Sequence, residues 1–299
     1  MYEQISSNKR KSFFLILFFM CFIFLLAWIF EQLTDWGPGG LVLAAIIACV
    51  MTLGSYYSSD KIVLAVSRAK PVIKEDYPHL YNVVEGLAIA AGLPKPRCYI
   101  IDDTAPNAFA SGRNPKNSVI VVTKGLLQKL NRTELEGVIA HEMSHIKNYD
   151  ILVQTLAVVM VGIIALLSDW ILRSFFWGGG RRRRNSKGSG NAGSILIIVG
   201  LILAILSPLI AQLLKLAISR KREFLADANG ALLTRYPPGL ASALRKLAAD
   251  KEPLEVANKA TAHLYIVNPL KDFKKRARAS RLFSTHPPIE ERIAALEKM

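Results

Sequence analysis

The sequence predicts an α+β chain, mostly helical with a small β-sheet, that carries two N-terminal transmembrane helices and a hydrophobic helical hairpin inserted between two soluble segments. Three observations carry this reading. The 299 residues are 52% hydrophobic and 20% charged, more apolar and less charged than an average soluble chain. The excess is gathered into runs at 13–30, 41–57, 151–177 and 195–218, as in membrane proteins. Around those runs, short strand-like stretches and apolar positions at helical spacing mark soluble structure. The chain divides accordingly into 1–60, 61–150, 151–219 and 220–299.

Composition also excludes several classes. The apolar content is too high for a disordered chain. Of the three cysteines, Cys21 and Cys49 fall inside apolar runs and Cys98 does not, so no disulfide framework can be built. The net charge of +15 does not point to nucleic acid, because the basic residues flank apolar runs and form no single face. No nucleic-acid partner is expected.

The first element is the uncharged run 13–30, long enough at ~1.5 Å per residue to cross ~27 Å of hydrocarbon. It exceeds the core of a signal peptide and is followed at once by the run 41–57, so a hairpin is the better reading. The turn at 31–40 holds Glu31 and Asp35 but no Lys or Arg, whereas Lys9, Arg10 and Lys11 precede the first run and Lys61, Arg68, Lys70 and Lys74 follow the second. The positive-inside rule then puts the N-terminus and everything after residue 60 in the cytoplasm.

The segment 61–150 predicts a helix over 76–91, closed by Gly92 and Pro94. Strands follow at 97–101, 107–111 and 118–123, the last two joined through Gly112, Asn114 and Pro115 as a β-hairpin. A helix begins at Thr133, where Thr133 and Glu136 have the spacing of a capping box. The apolar stretches 151–177 and 195–218 enclose a Gly/Ser loop with Arg181 to Arg184 and Lys187. Two readings of that pair stay open. Full crossing puts the basic loop outside, against the charge rule, and a shallow dip keeps it inside. Helical patterns return at 220–234, 239–249 and 287–298. The basic cluster at 274–281 reads as a solvated face beside anionic lipid.

The chemistry lies in His141-Glu142-Met143-Ser144-His145. Residues four apart share a helix face, so both imidazoles can hold one Zn²⁺ at about 2.0–2.1 Å. Glu142 is aimed at the water on that ion, from which a carboxylate can take a proton. A zinc hydrolase needs a third protein ligand. The positions that would carry Gly and a third His in an HExxHxxGxxH motif are Asn148 and Ile151, so the ligand comes from elsewhere. Glu223 is a candidate, with Asp227 one turn on to accept the ring N–H of a ligand histidine; a salt-bridged surface helix explains the same pair. His145 stands six residues before the apolar stretch at 151, and Glu223 five residues after Ile218. Both therefore lie within ~10 Å of one membrane boundary.

NAFASG (107–112), HEMSHIKNYD (141–150), REFLAD (222–227) and THPP (285–288), in that order after two apolar spans, resemble the HtpX-type membrane zinc metalloproteases, relatives of the CAAX prenyl endoprotease. The resemblance covers nearly the whole chain. It implies a gluzincin-like metalloprotease domain, one Zn²⁺ per chain on His141, His145 and Glu223, and Glu142 as catalytic base. It implies a multi-pass protein of the plasma (inner) membrane that cleaves unfolded or damaged membrane proteins on the cytoplasmic side, as quality control under stress. Asn107, Ala108, Phe109 and Ala110 then look like an edge strand on which substrate adds as a further strand; an ordinary hairpin strand is the alternative. His286 is either an oxyanion donor or a residue that starts the last helix, held by Glu290 or Glu291. Two rivals stand beside this reading. One is a processing protease of CAAX-endoprotease type, and the other is a membrane adaptor with an accidental HExxH. Oligomeric state is not legible.

Overall fold

The computed structural model describes residues 2–34, 38–163, 220–257, 261–269 and 287–299. Outside them lie the expected helix at 195–218, the basic loop at 181–187, the basic cluster at 274–281 and His286.

The sheet sets the frame. Strands β1 (Lys70–Pro71), β2 (Arg97–Ile101), β3 (Ala108–Asn114) and β4 (Asn117–Thr123) lie in the order β1-β2-β4-β3. β2 runs parallel to β4, and β3 pairs antiparallel with β4 as the expected hairpin. Side chains alternate across a strand, and β4 shows it. Ile120 and Val122 join one apolar cluster while Val119 and Val121 join another. A continuous apolar run reads this way because both faces of the sheet are covered. The hairpin bends at Gly112, whose φ of +139° suits glycine; an added Cβ would stand 2.2 Å from Asn117 O. The two-residue β1 carries no sequence signal.

One face of the sheet meets α3 (Pro78–Ala91) and α5 (Arg132–Lys147), with α7 (Arg220–Thr234), α8 (Pro237–Ala249) and α9 (Ile289–Leu296) beyond. α3 buries Leu80, Val83, Val84, Leu87, Ala88 and Ala91, a stripe at helical spacing. It closes on left-handed Gly92, whose N–H bonds back to Ala88 O and Ile89 O. A short α4 (Lys124–Lys129), capped by the Thr123 hydroxyl, leads into α5.

The cap of α5 corrects the sequence reading. The capping box is Asn131 with Glu134, not Thr133 with Glu136. Asn131 accepts from the Glu134 N–H, and the Glu134 carboxylate takes the Asn131 N–H. Thr133 instead donates to Asn131, and Glu136 pairs with Arg132. Both pairs have the right spacing, and the position where the chain leaves extended geometry decides between them.

α6, described over Asp150–Ile163, follows α5 at an 83° bend. The N-terminal helices are α1 (Tyr2–Thr34) and α2 (Pro38–Val66), 33 and 29 residues long. α1 lays Phe19 and Phe22 against Leu152, Leu156, Ala157 and Met160 of α6, while Val63 and Leu64 of α2 cover the second face of the sheet. Phe13, Phe14, Leu17, Phe18, Phe24, Leu25 and Trp28 of α1 face outward, as do Val42, Ile46, Val50 and Leu53 of α2. Many side chains of both helices lie outside the described set. Among the described residues no single helix is long and apolar enough to cross a membrane, and only the bent pair α5–α6 passes on length and composition.

Candidate metal centre

α5 is buried along nearly all of its second half, from Gly137 to Ile146. α7 crosses it closely enough that a Cβ on Gly230 would stand 3.0 Å from His141 N. That approach brings residues 223 and 227 to the motif. His141 and His145, one turn apart, set their Nε2 atoms 3.1 Å from each other. Glu223 Oε2 lies 3.9 Å from His141 Nε2, and Glu223 Oε1 3.6 Å from His145 Nε2. Ligand atoms of the three residues all lie within 4.8 Å of one another, and all three residues are buried. Tetrahedral ligands at about 2.0 Å from a Zn²⁺ stand about 3.3 Å apart, so the observed separations need only small adjustments.

Each histidine presents its other ring nitrogen to a carboxylate. His141 Nδ1 meets Asp227 Oδ1 at 2.9 Å, and His145 Nδ1 meets Asp150 Oδ2 at 3.0 Å. Such partners fix ring orientation and tautomer. Arg292 of α9, fully buried, binds Asp227 through two parallel hydrogen bonds of 2.8 and 2.7 Å and donates to Ile266 O. Its guanidinium also stands 3.8 Å from Glu223. Asp150 is held by Arg222 at 3.2 Å.

The charges leave room for a cation. Glu142, Glu223, Asp227 and Asp150 are all buried, and they meet two guanidiniums, Arg292 and Arg222. With both imidazoles neutral and all four carboxylates ionised, the state in which a metal binds, two negative charges are left over, which a divalent ion would neutralise. The titrations follow the same logic. Burial pulls the His145 imidazole down, but the Asp150 hydrogen bond and the Glu223 charge outweigh it and raise its pKa to about 9. Burial lowers the pKa of His141; Asp227 opposes that shift, and the charges of Arg292 and His145 reinforce it. Burial lifts Glu142 to about 7; the His145 charge opposes this and the Glu223 charge adds to it. The Ala110 N–H of β3 lies near enough to the Glu142 carboxylate to oppose the rise.

The residues expected from sequence thus fall in several places. His141, Glu142, His145, Glu223 and Asp227 come together. Asn107–Ala110 lead into and begin an edge strand, but its outer groups are engaged. Ala108 O accepts from Ile266 N–H, and the Asn107 amide donates to Val267 O. Gly112 N–H reaches the Thr155 hydroxyl. Sequence reasoning missed Arg292, Asp150 and Arg222. The one available signal was for Asp150, a lone acid at the head of an apolar run.

Residues 75–299 match the model of peptidase family M48. The chain belongs to this family. It is 51% identical over 298 residues to a protease HtpX homolog of Dictyoglomus turgidum, covering 100% of this chain and 94% of that protein. The corresponding protein of Thermoanaerobacter pseudethanolicus is 48% identical, with 100% and 98% covered. That of Listeria monocytogenes is 45% identical over 307 residues, with both chains covered completely. Among solved structures, S. mikatae Ste24p superposes with a TM-score of 0.50 at 20% identity, covering 99% of this chain and 67% of that one; this likeness concerns the fold. As an M48 member the chain is a metallopeptidase, and His141, His145 and Glu223 form its candidate metal site.

Proposed function

We propose that the chain is a membrane-integral zinc endopeptidase that cleaves misfolded or damaged membrane proteins on the cytoplasmic side of the plasma membrane. The observation that carries the reading is the convergence of His141, His145 and Glu223 ligand atoms within 4.8 Å, with Glu142 on the same helix. Two nitrogens and one carboxylate oxygen are the donor set of a catalytic zinc with one open position. Zinc bound there supplies a Lewis acid for the scissile carbonyl and lowers the pKa of water to about 7.

The remaining work falls to side chains. Glu142, buried on the same helix as both histidines, is placed to take a proton from water and return it to the leaving amine. Asp227 and Asp150 keep the ligand imidazoles oriented. The substrate main chain runs along the outer side of β3 near Ala110, beside Glu142, and reaches Ala108 only where Ile266 gives way. His286, just ahead of buried Pro287, is the candidate oxyanion donor. The outward apolar side chains of α1 and α2 support a transmembrane hairpin, and the basic residues flanking it support a cytoplasmic active site.

The test is cleavage of several unrelated unfolded proteins by the detergent-purified chain and by Glu142→Gln. The variant is expected to keep zinc and lose at least about 100-fold in rate. A variant that cleaves at the wild-type rate contradicts the role of Glu142, and cleavage of a single peptide alone replaces quality control with processing.

A further inference from the structure

The corner where α5 turns into α6 is held by a residue distant from it in sequence. Asn8, on α1, is 3% exposed. Its amide donates to Asp150 Oδ1 at 2.7 Å and to Asn148 O at 2.8 Å. Arg222 donates to Asn8 Oδ1 at 3.1 Å and to the same Asp150 oxygen at 3.2 Å. The other oxygen of Asp150 receives the His145 Nδ1–H. Two hydrogen bonds therefore connect the first helix of the chain to the ring of a metal ligand.

The corner needs holding. The chain turns 83° across two residues, and Tyr149 takes a φ of +60°. That left-handed backbone costs a residue with a side chain about 1–3 kcal/mol. Asn148 O lies past the last turn of α5, where carbonyls lose their helical donors. α1 meets each of these demands. Asn8 supplies a donor to the carbonyl, the Lys9 ammonium sits 4.7 Å from the centre of the Tyr149 ring, and Phe19 and Phe22 fix the height of α1 along α6. An amide suits position 8 because it donates to two acceptors and accepts from a guanidinium. A carboxylate there would face the Asp150 carboxylate. All of these α1 contacts come from outside residues 75–299, the segment matched to the family model.

We infer that Asn8 is a positioning residue for the metal centre, fixing the ring of His145 through Asp150 and making the first helix a structural part of the zinc site. The inference rests on the zinc reading above. It means that the seating of α1 against α6 sets how firmly the metal is held.

The experiment uses the full chain in detergent, stripped of metal and titrated with zinc against a chromophoric chelator, with helicity followed in parallel. Partners behind a metal ligand are typically worth about 10–100-fold in affinity. Asn8→Ala is expected to bind zinc about 10-fold more weakly at unchanged helicity, and Asn8→Asp more weakly still. Ser12→Ala, one turn along the same buried side of α1, is expected to bind as the wild type does. The deciding variant is the exchange Asn8→Asp with Asp150→Asn. It keeps one donor and one acceptor between the two positions and leaves net charge unchanged, so it should bind zinc more tightly than Asn8→Asp alone. An exchange that binds no more tightly than Asn8→Asp alone overturns the inference, as do Asn8 variants within about twofold of wild type or a Ser12→Ala loss equal to that of Asn8→Ala. A wild type that takes up no zinc overturns the zinc reading itself.

Discussion

The two histidines of the candidate metal site stand on one helix, four residues apart, and each is backed by an aspartate that an arginine holds. Yet the two halves of the site are built differently. The His141 half is locked by Asp227 and by Arg292, which is fully buried and makes two parallel hydrogen bonds. The His145 half is held by Asp150, with a single Arg222 contact at 3.2 Å and the amide of Asn8 on α1. The titrations diverge with the construction. Burial lowers the pKa of His141 and the Arg292 guanidinium adds to it, whereas at His145 the Asp150 hydrogen bond and the Glu223 charge outweigh burial and raise the pKa to about 9. Identical residue types at helical spacing thus acquire opposite electrostatics from what the rest of the chain brings to each. The C-terminal helix secures one half, and the N-terminal helix secures the other.

The largest expected effect falls on the C-terminal half. Arg292→Met leaves Asp227 and Glu223 buried without their counter-charge, and breaking such a pair costs about 3–5 kcal/mol. Chemical unfolding of the metal-free chain measures this. Arg292→Lys should recover little, since an ammonium cannot make two parallel bonds. A loss below about 1 kcal/mol would remove the distinction between the halves.

Next comes pH. His145 moves from 6.5 unfolded to about 9 folded, so its contribution is fully present below pH 6.5 and is lost as pH rises through about 9. The metal-free chain should lose about 3 kcal/mol across that window. Glu142, raised from 4.5 to about 7, favours its protonated form and acts in the same sense at lower pH. Unfolding at several pH values checks the slope, and His145→Gln should flatten its upper part. Metal binding needs a neutral imidazole, so zinc uptake near pH 7 should release a proton from the His145 side.

Arg222→Gln removes a partly exposed contact and should cost about 1–2 kcal/mol, less than Arg292→Met in the same assay. Equal losses would mean that the halves are held alike. The smallest effect belongs to the cap of the shared helix. Burial pushes the Glu134 carboxyl up, but the Lys246 ammonium, the Ser242 hydroxyl and the Asn131 N–H together hold it below its usual value. Its contribution is present above about pH 4.5 and fades as pH falls. Glu134→Gln should cost about 1 kcal/mol at pH 7 and nothing in acid, without changing zinc affinity.

What the sequence could reveal divides along the same line. His141, Glu142 and His145 are legible because four-residue spacing on a helix is a local property. Glu223 is legible because chain length from the apolar runs puts it at the height of the motif. Strands 97–101 and 118–123 show in their apolar runs, and the hairpin shows in its turn residues. Arg292 is not legible, since it occurs in a helix that reads as an ordinary charged one and its burial comes from packing 151 residues away from His141. Asn8 is hidden for the same reason, among the basic residues that flank a span. The misplaced cap on α5 belongs here too. Two pairs satisfied the local rule, and the entry of the chain from β4 through α4 chose between them.

The central claim is that His141, His145 and Glu223 bind one zinc together. X-ray absorption at the zinc edge, on the full chain loaded with one equivalent, tests it directly. The account predicts two imidazole nitrogens and a carboxylate oxygen at about 2.0–2.2 Å, with the carboxylate ligand lost in Glu223→Ala. A zinc environment unchanged by Glu223→Ala, or one containing a thiolate, would contradict it.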